Sequence, residues 1–229
     1  MKALKFFLAF CLISSYILLP LFHDKAIHDC ESIVVPQDYP PIRSPQAVHS
    51  FIAEKVHNKS VIELGTRNGD GISCFAHFAS TAIALEYDRT YCARLEERAR
   101  LQHTPPIWSV ECADAFKYKN LDADVITWWQ QYPLTNFAVL KRLKEEQCAG
   151  RVRPSAQAIL LFDEKWPKDM KDFELLRSMF SWQKSISFDE HEMCASDTKN
   201  EIKEDFCYRS KGVFIVASLP LAQYFHVSC

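Results

Sequence analysis

Three of the chain's five glycines, Gly65, Gly69 and Gly71, crowd into one short stretch directly after the apolar run from Val61 to Leu64. Average usage would place roughly sixteen glycines in a chain of 229 residues, so this glycine-poor sequence concentrates them at one point. A ligand laid across the end of a strand needs backbone without Cβ atoms, and a turn from strand into helix needs left-handed φ values; glycine supplies both. The simpler use of the same cluster is a tight turn with no ligand. A dinucleotide loop would read G-x-G-x-x-G, but counted from Gly65 the required positions hold Arg67 and Asp70. An acid at the helix start also opposes a pyrophosphate there. The second candidate is Glu86, which ends the apolar run from Ala82 to Leu85 and lies 21 residues after Gly65. A carboxylate at a strand end can accept from both hydroxyls of a ribose, without requiring charge on the ligand. A solvated acid is the plainer alternative, and Asp88 competes for the role but reads as the cap of the following helix.

The segment VIELGTRNGDG, Val61 to Gly71, resembles the first motif of class I S-adenosylmethionine-dependent methyltransferases: a hydrophobic pair, Glu, a hydrophobic residue, then G-x-G-x-G. Glu63, Gly65 and Gly69 match it, while Arg67 stands where the middle glycine belongs. The acid that ends the family's second strand is matched by Glu86. The resemblance implies S-adenosylmethionine as cosubstrate, bound by Glu63, Gly65, Gly69, Gly71 and Glu86. After a third strand, Ile107 to Val110, the run Glu111-Cys112-Ala113-Asp114-Ala115 resembles the family's acidic segment at the adenine amino group, which makes Asp114 a further binding candidate. A loop cap is the alternative for Asp114.

The stretch from Leu121 to Trp129 resembles the fourth strand, whose end faces the reactive methyl. The N-P-P-[YF] signature of amino-group methylation is absent, and Trp128-Trp129-Gln130-Gln131-Tyr132-Pro133 occupies that place. Trp128 is therefore a candidate catalytic residue as part of an aromatic wall for substrate or sulfonium, against packing in the core. Strand five ends in Asp163-Glu164, which resembles the catechol O-methyltransferase group, where an Asp-Asn pair holds a divalent cation. Glu164 stands at the Asn position and no acid follows strand four, so a divalent cation is not favoured and no metal ligand is assigned. Asp163 remains a candidate general base toward a substrate hydroxyl. The eight histidines show neither metal-ligand spacing nor a nucleophile elbow, which leaves hydrolase triads without support.

Positioning such a site requires a sheet. Short apolar runs at 61–64, 82–85, 107–110, 124–128, 158–162 and 212–217 alternate with amphipathic stretches at 73–78, 90–101, 134–147 and 170–180. This βα repeat predicts an α/β fold, a Rossmann-like and mostly parallel sheet with helices on both faces. A further strand is expected at 185–188, before a polar insert from Cys194 to Cys207.

The rest of the chain bounds the setting. Lys2 and Lys5 precede an apolar run from Phe6 to Phe22, followed by His23, Asp24 and Lys25. That order predicts a signal anchor over residues 1–26, or a cleaved signal peptide, with the remainder across the membrane in the lumen. Residues 27–45, with four prolines, read as an extended stem, and 46–229 as the methyltransferase-like domain. The expected address is a type II single-pass protein of the endomembrane system, secreted if the signal is removed. Cys11 falls inside the apolar run, leaving eight cysteines, an even number available for disulfides. Cys194 and Cys207 are expected to staple the insert, while Cys74, Cys92 and Cys112, in core elements, are expected as free thiols. Asn58-Lys59-Ser60 is a glycosylation sequon usable in that compartment. The net charge of -2 gives no electrostatic footprint for nucleic acid, so the expected acceptor is a glycan, lipid or small molecule. Two other readings stay open: a non-catalytic protein retaining the fold, and a Rossmann-type glycosyltransferase whose D-x-D would be Asp122-Ala123-Asp124.

Overall fold

A computed structural model describes residues 29–37, 46–129, 133–163, 174, 176–195 and 206–224. Seven strands form one sheet: β1 Ser60–Leu64, β2 Thr81–Glu86, β3 Ser109–Cys112, β4 Val125–Trp129, β5 Gln157–Asp163, β6 Trp182–Ala195 and β7 Phe206–Pro220. Their spatial order is β3-β2-β1-β4-β5-β7-β6. The pairs among β1 to β5 are parallel, and β7 runs antiparallel to both β5 and β6.

Alternation along the strands divides the core into two layers, as a sheet covered on both faces requires. Val61, Val125, Ile159 and Val216 point to one side, where they meet helices α1 (Cys30–Ile33), α2 (Gln46–Lys55), α3 (Asp70–Phe75) and α4 (Arg89–Gln102). Ile62, Ile126, Leu160 and Ala217 point to the other, toward α5 (Pro133–Cys148). Asp88 starts α4 as expected, accepting hydrogen bonds from the amides of Thr90 and Tyr91 at 2.7 and 3.3 Å.

Four expectations change. The third strand lies two residues later than predicted, because Ile107 is solvent-exposed and only Ser109 to Cys112 pair with β2. The strand expected at 185–188 extends over Trp182–Ala195 and pairs with β7 in a long antiparallel hairpin, whose register sets Cys194 opposite Cys207; residues 196–205 of the expected insert lie outside the described residues. Part of the segment read as stem is built into the domain: Cys30 and Val34 are buried, and Cys30 is disulfide-bonded to Cys74 on α3. Nor are the core cysteines free thiols, since Cys92 on α4 also pairs with Cys112 at the end of β3, and Cys148 is disulfide-bonded too.

The apolar run 6–22 lies outside the described residues, as do residues 170–173 and 175 of the stretch 170–180. Among the described residues, no helix is long and apolar enough to cross a membrane.

Candidate functional site

The strand order reverses at β1, which has β2 on one side and β4 on the other. In open α/β sheets ligands bind outside the carboxyl ends of the strands at such a switch point. The turn that leaves β1 there, Gly65 to Asp70, contains three left-handed residues: Gly65 (φ 68°), Arg67 (φ 56°) and Gly69 (φ 84°). Arg67 thus adopts the backbone conformation that a glycine would take with less cost. Its amide donates to Glu86 Oε2 at 2.9 Å, and its guanidinium reaches the Tyr91 hydroxyl at 3.1 Å.

The glycines serve different ends. A Cβ on Gly65 would meet nothing within 4 Å, so that position faces open space. Gly69 lies against Leu95, and a Cβ there would approach its Cδ2 to 2.7 Å. Gly71 leaves room for the Glu63 carboxylate, which accepts from the amide of Ile72 at 3.0 Å. Of the three, only Gly65 leaves bare backbone facing open space; Gly69 and Gly71 lie against internal side chains. Glu63, matched in sequence as a binding residue, holds the start of α3.

Glu86 is buried at the end of β2. Its Oε1 accepts from the amides of Tyr87 and Asp88 at 2.8 and 2.9 Å, while Oε2 accepts from Arg67. With two lone pairs on each oxygen, Oε2 retains one accepting direction for a ligand hydroxyl. The carboxylate therefore shapes the loop as well as lining the site. Its removal cannot be neutral to the fold, because three backbone amides would lose their acceptor.

A cavity of about 230 Å³ opens between these elements, lined among others by Gly65, Glu86, Tyr87, Asp114, Phe116 and Trp128. Asp114 caps its own turn by accepting from the Phe116 amide at 2.9 Å, and forms an ion pair with Lys117. Trp128 is buried, and its Nε1 donates to Asn136 on α5 at 2.7 Å, which fixes the ring beside the cavity. Tyr87 and Phe116, which no motif singled out, contribute further aromatic lining; both are exposed apolar rings at strand ends. The side chain of Asp163 lies outside the described residues, and its backbone pairs with Phe214 of β7.

A larger concavity, about 770 Å³, is lined by Ser80, Thr81, Pro106, Trp108, Ser109 and neighbours. It sits at the amino ends of β2 and β3, away from the loop, so size alone does not identify the site. Asp122 and Asp124 also belong to that amino end, where Arg153 holds both at 2.9 and 2.5 Å and Ser60 donates to Asp124. The D-x-D is consumed as a structural clamp, which removes the glycosyltransferase reading's motif. Among the described residues, no group of three or more His, Cys, Asp or Glu could hold a metal ion.

Behind the loop lies a polar cluster that sequence reading missed. Arg98 of α4 and Asp70 are both buried and form an ion pair at 2.7 Å. Asp70, expected to repel an anion at the helix start, is turned away from the cavity and neutralised. The available signal was periodicity: Arg98 follows Leu95 by three residues, on the apolar stripe of its helix.

No family model and no curated protein matches the sequence. Solved structures do match in fold. A candidate RNA methyltransferase from Pyrococcus horikoshii shares 11% identity over 78% of this chain and 86% of its own, with a TM-score of 0.54. The precorrin-6y C5,15-methyltransferase from Geobacter metallireducens shares 12% identity over 85% and 97%, at 0.53. The Bacillus subtilis m1A22 tRNA methyltransferase shares 16% identity over 75% and 64%, at 0.50. The chain has the fold of class I methyltransferases, a fold whose members here act on acceptors as different as RNA and a precorrin.

Proposed function

We propose that the protein is an S-adenosylmethionine-dependent methyltransferase, with the cosubstrate lying across Gly65 at the carboxyl ends of β1 and β2. The observation that carries this reading is the open space over Gly65 beside the remaining acceptor direction of Glu86. A cavity of about 230 Å³ is below the ~300 Å³ lower range of small-molecule pockets, so it takes part of the ligand and leaves the rest along the open cleft. Glu86 would accept from the ribose, Asp114 would approach the adenine, and Trp128 would stand beside the reacting methyl. Methyl transfer supplies its own electrophile, so the work of the chain is to orient the acceptor and exclude water by apolar and aromatic lining. Asp163 is retained as a proposed base.

The acceptor we infer is a glycan, lipid or small molecule met in the secretory pathway. Two observations support this: the disulfides Cys30–Cys74 and Cys92–Cys112, which belong to oxidising compartments, and the lysine-led apolar run 6–22. The RNA methyltransferases sharing the fold make a nucleic-acid acceptor the competing outcome.

Titration calorimetry with S-adenosylmethionine and S-adenosylhomocysteine, against NAD and nucleotide sugars, tests the cosubstrate. Heat with the first pair alone is expected; silence at millimolar concentration would leave a non-catalytic protein with the same fold. Protease protection in sealed microsomes tests the address.

A further inference from the structure

The loop that the proposed function assigns to the cosubstrate does not hold itself. Three of its residues are left-handed, and its amides make few bonds within the turn, chiefly Gly69 N to the Thr66 carbonyl at 3.0 Å. On the cavity side Glu86 restrains it. On the opposite side it is held by a piece of chain from far upstream, residues 34–37.

The Gln37 amide donates to both oxygens of Asp70, at 2.9 and 3.0 Å, and Asn68 Nδ2 donates to the Gln37 carbonyl at 3.2 Å. Arg98 ties the two segments together: Nη1 reaches Asp70 and the Asn68 carbonyl, and Nη2 reaches the Val35 carbonyl at 3.0 Å. Upstream, Cys30 is bonded to Cys74 at the far end of α3, and the Cys30 amide donates to Ser50 Oγ at 2.9 Å. The upstream segment thus grips α3 covalently near one end and, through Asp70, electrostatically at the other. Asn68 and Asp70 flank Gly69, so both grips act on the loop backbone.

The geometry points to residues 30–37 as a strut for the cosubstrate loop, with Arg98 and the Cys30–Cys74 disulfide as positioning groups. None of them lines the cavity, yet ligand affinity depends on all of them. The inference rests on the cosubstrate reading for its ligand but not for its mechanics. If the loop without its strut holds the binding shape only a tenth of the time, apparent affinity falls about tenfold.

The test compares the wild type with Arg98→Lys, with the double variant Cys30→Ser/Cys74→Ser, and with Ile159→Val, a core change on β5 that serves as a stability control. Two readouts are taken on each: amide hydrogen exchange of residues 65–72 without ligand, and the calorimetric Kd for S-adenosylhomocysteine. The strut predicts exchange and Kd both rising about tenfold in the first two variants and neither rising in Ile159→Val. Loop exchange unchanged in the cysteine variant overturns it, as does a Kd that rises no more than in the control. Should Arg98→Lys fail to fold, the cysteine variant decides alone. Faster loop exchange in a protein that binds no S-adenosylhomocysteine would sustain the strut and overturn the cosubstrate reading.

Discussion

The carboxylate of Glu63 occupies the space that a side chain at position 71 would need, and from there it receives the amide of Ile72. A methyl group at Gly71 must displace either that carboxylate or the start of α3. Gly71→Ala is therefore expected to cost about 2 kcal/mol, in the range for overpacked interiors. Thermal melting without ligand reads this directly, and an unchanged midpoint would contradict the packing described.

Gly65→Val and Glu86→Ala should both lower stability and binding, but by different routes. Gly65→Val places atoms in open space, so its stability cost is the backbone strain at positive φ, about 1–2 kcal/mol, while ligand binding is lost. Glu86→Ala strips partners from the amides of Arg67, Tyr87 and Asp88, and is expected to cost about 1–3 kcal/mol in stability as well as weakening affinity. Melting curves and calorimetry on the two variants check the contrast. Wild-type affinity in Gly65→Val would move the ligand elsewhere.

His49 makes stability depend on pH. It is fully buried beneath the Asp70–Arg98 pair; burial chiefly, and Arg98 as well, lower its pKa to about 4, while Asp70 opposes them. The unfolded chain therefore takes up a proton near pH 6.5 that the folded protein refuses until about pH 4. Stability from this group is complete above pH 6.5 and declines as the pH falls toward 4. Between pH 7 and pH 5 the loss is about 2 kcal/mol. Urea denaturation at both values should show that loss in the wild type, and a correspondingly smaller one in His49→Gln. Equal losses in the two proteins would rule His49 out as the source.

Cys194 and Cys207 face each other in the hairpin register. A bridge between them would close a short loop and stabilise by about 3 kcal/mol in the chain-entropy description. Mass spectrometry of unreduced protein is expected to recover that pair together with Cys30–Cys74 and Cys92–Cys112. Recovery of either hairpin cysteine as a free thiol would exclude the staple.

The parallel half of the sheet was legible because buried strands read as unbroken apolar runs, and β1, β2, β4 and β5 fall within a residue or so of the runs that announce them. Strand β3 was misplaced because it is an edge strand whose side chains are at most half-buried, so its pattern carries little contrast. Of the hairpin, only the inner stretches 185–188 and 212–217 were legible, for a similar reason: its polar outer stretch looks like a loop. Gly65 and Glu86 were visible from spacing along a single βα unit. Arg98, Gln37 and the Cys30–Cys74 bond were not, since contacts spanning 28, 33 and 44 residues leave no local period.

The position of β7 between β5 and β6 has a consequence for synthesis. The growing chain makes β6 first, yet β6 has no place in the sheet until β7 arrives to pair with both neighbours. Until β7 emerges, β5 shows an open edge and β6 waits as an unpaired strand, the two conditions under which nascent chains associate wrongly. Completion of the sheet thus waits on β7, and a nonsense codon even slightly upstream of Phe206 would leave two unsatisfied edges rather than a slightly shorter domain.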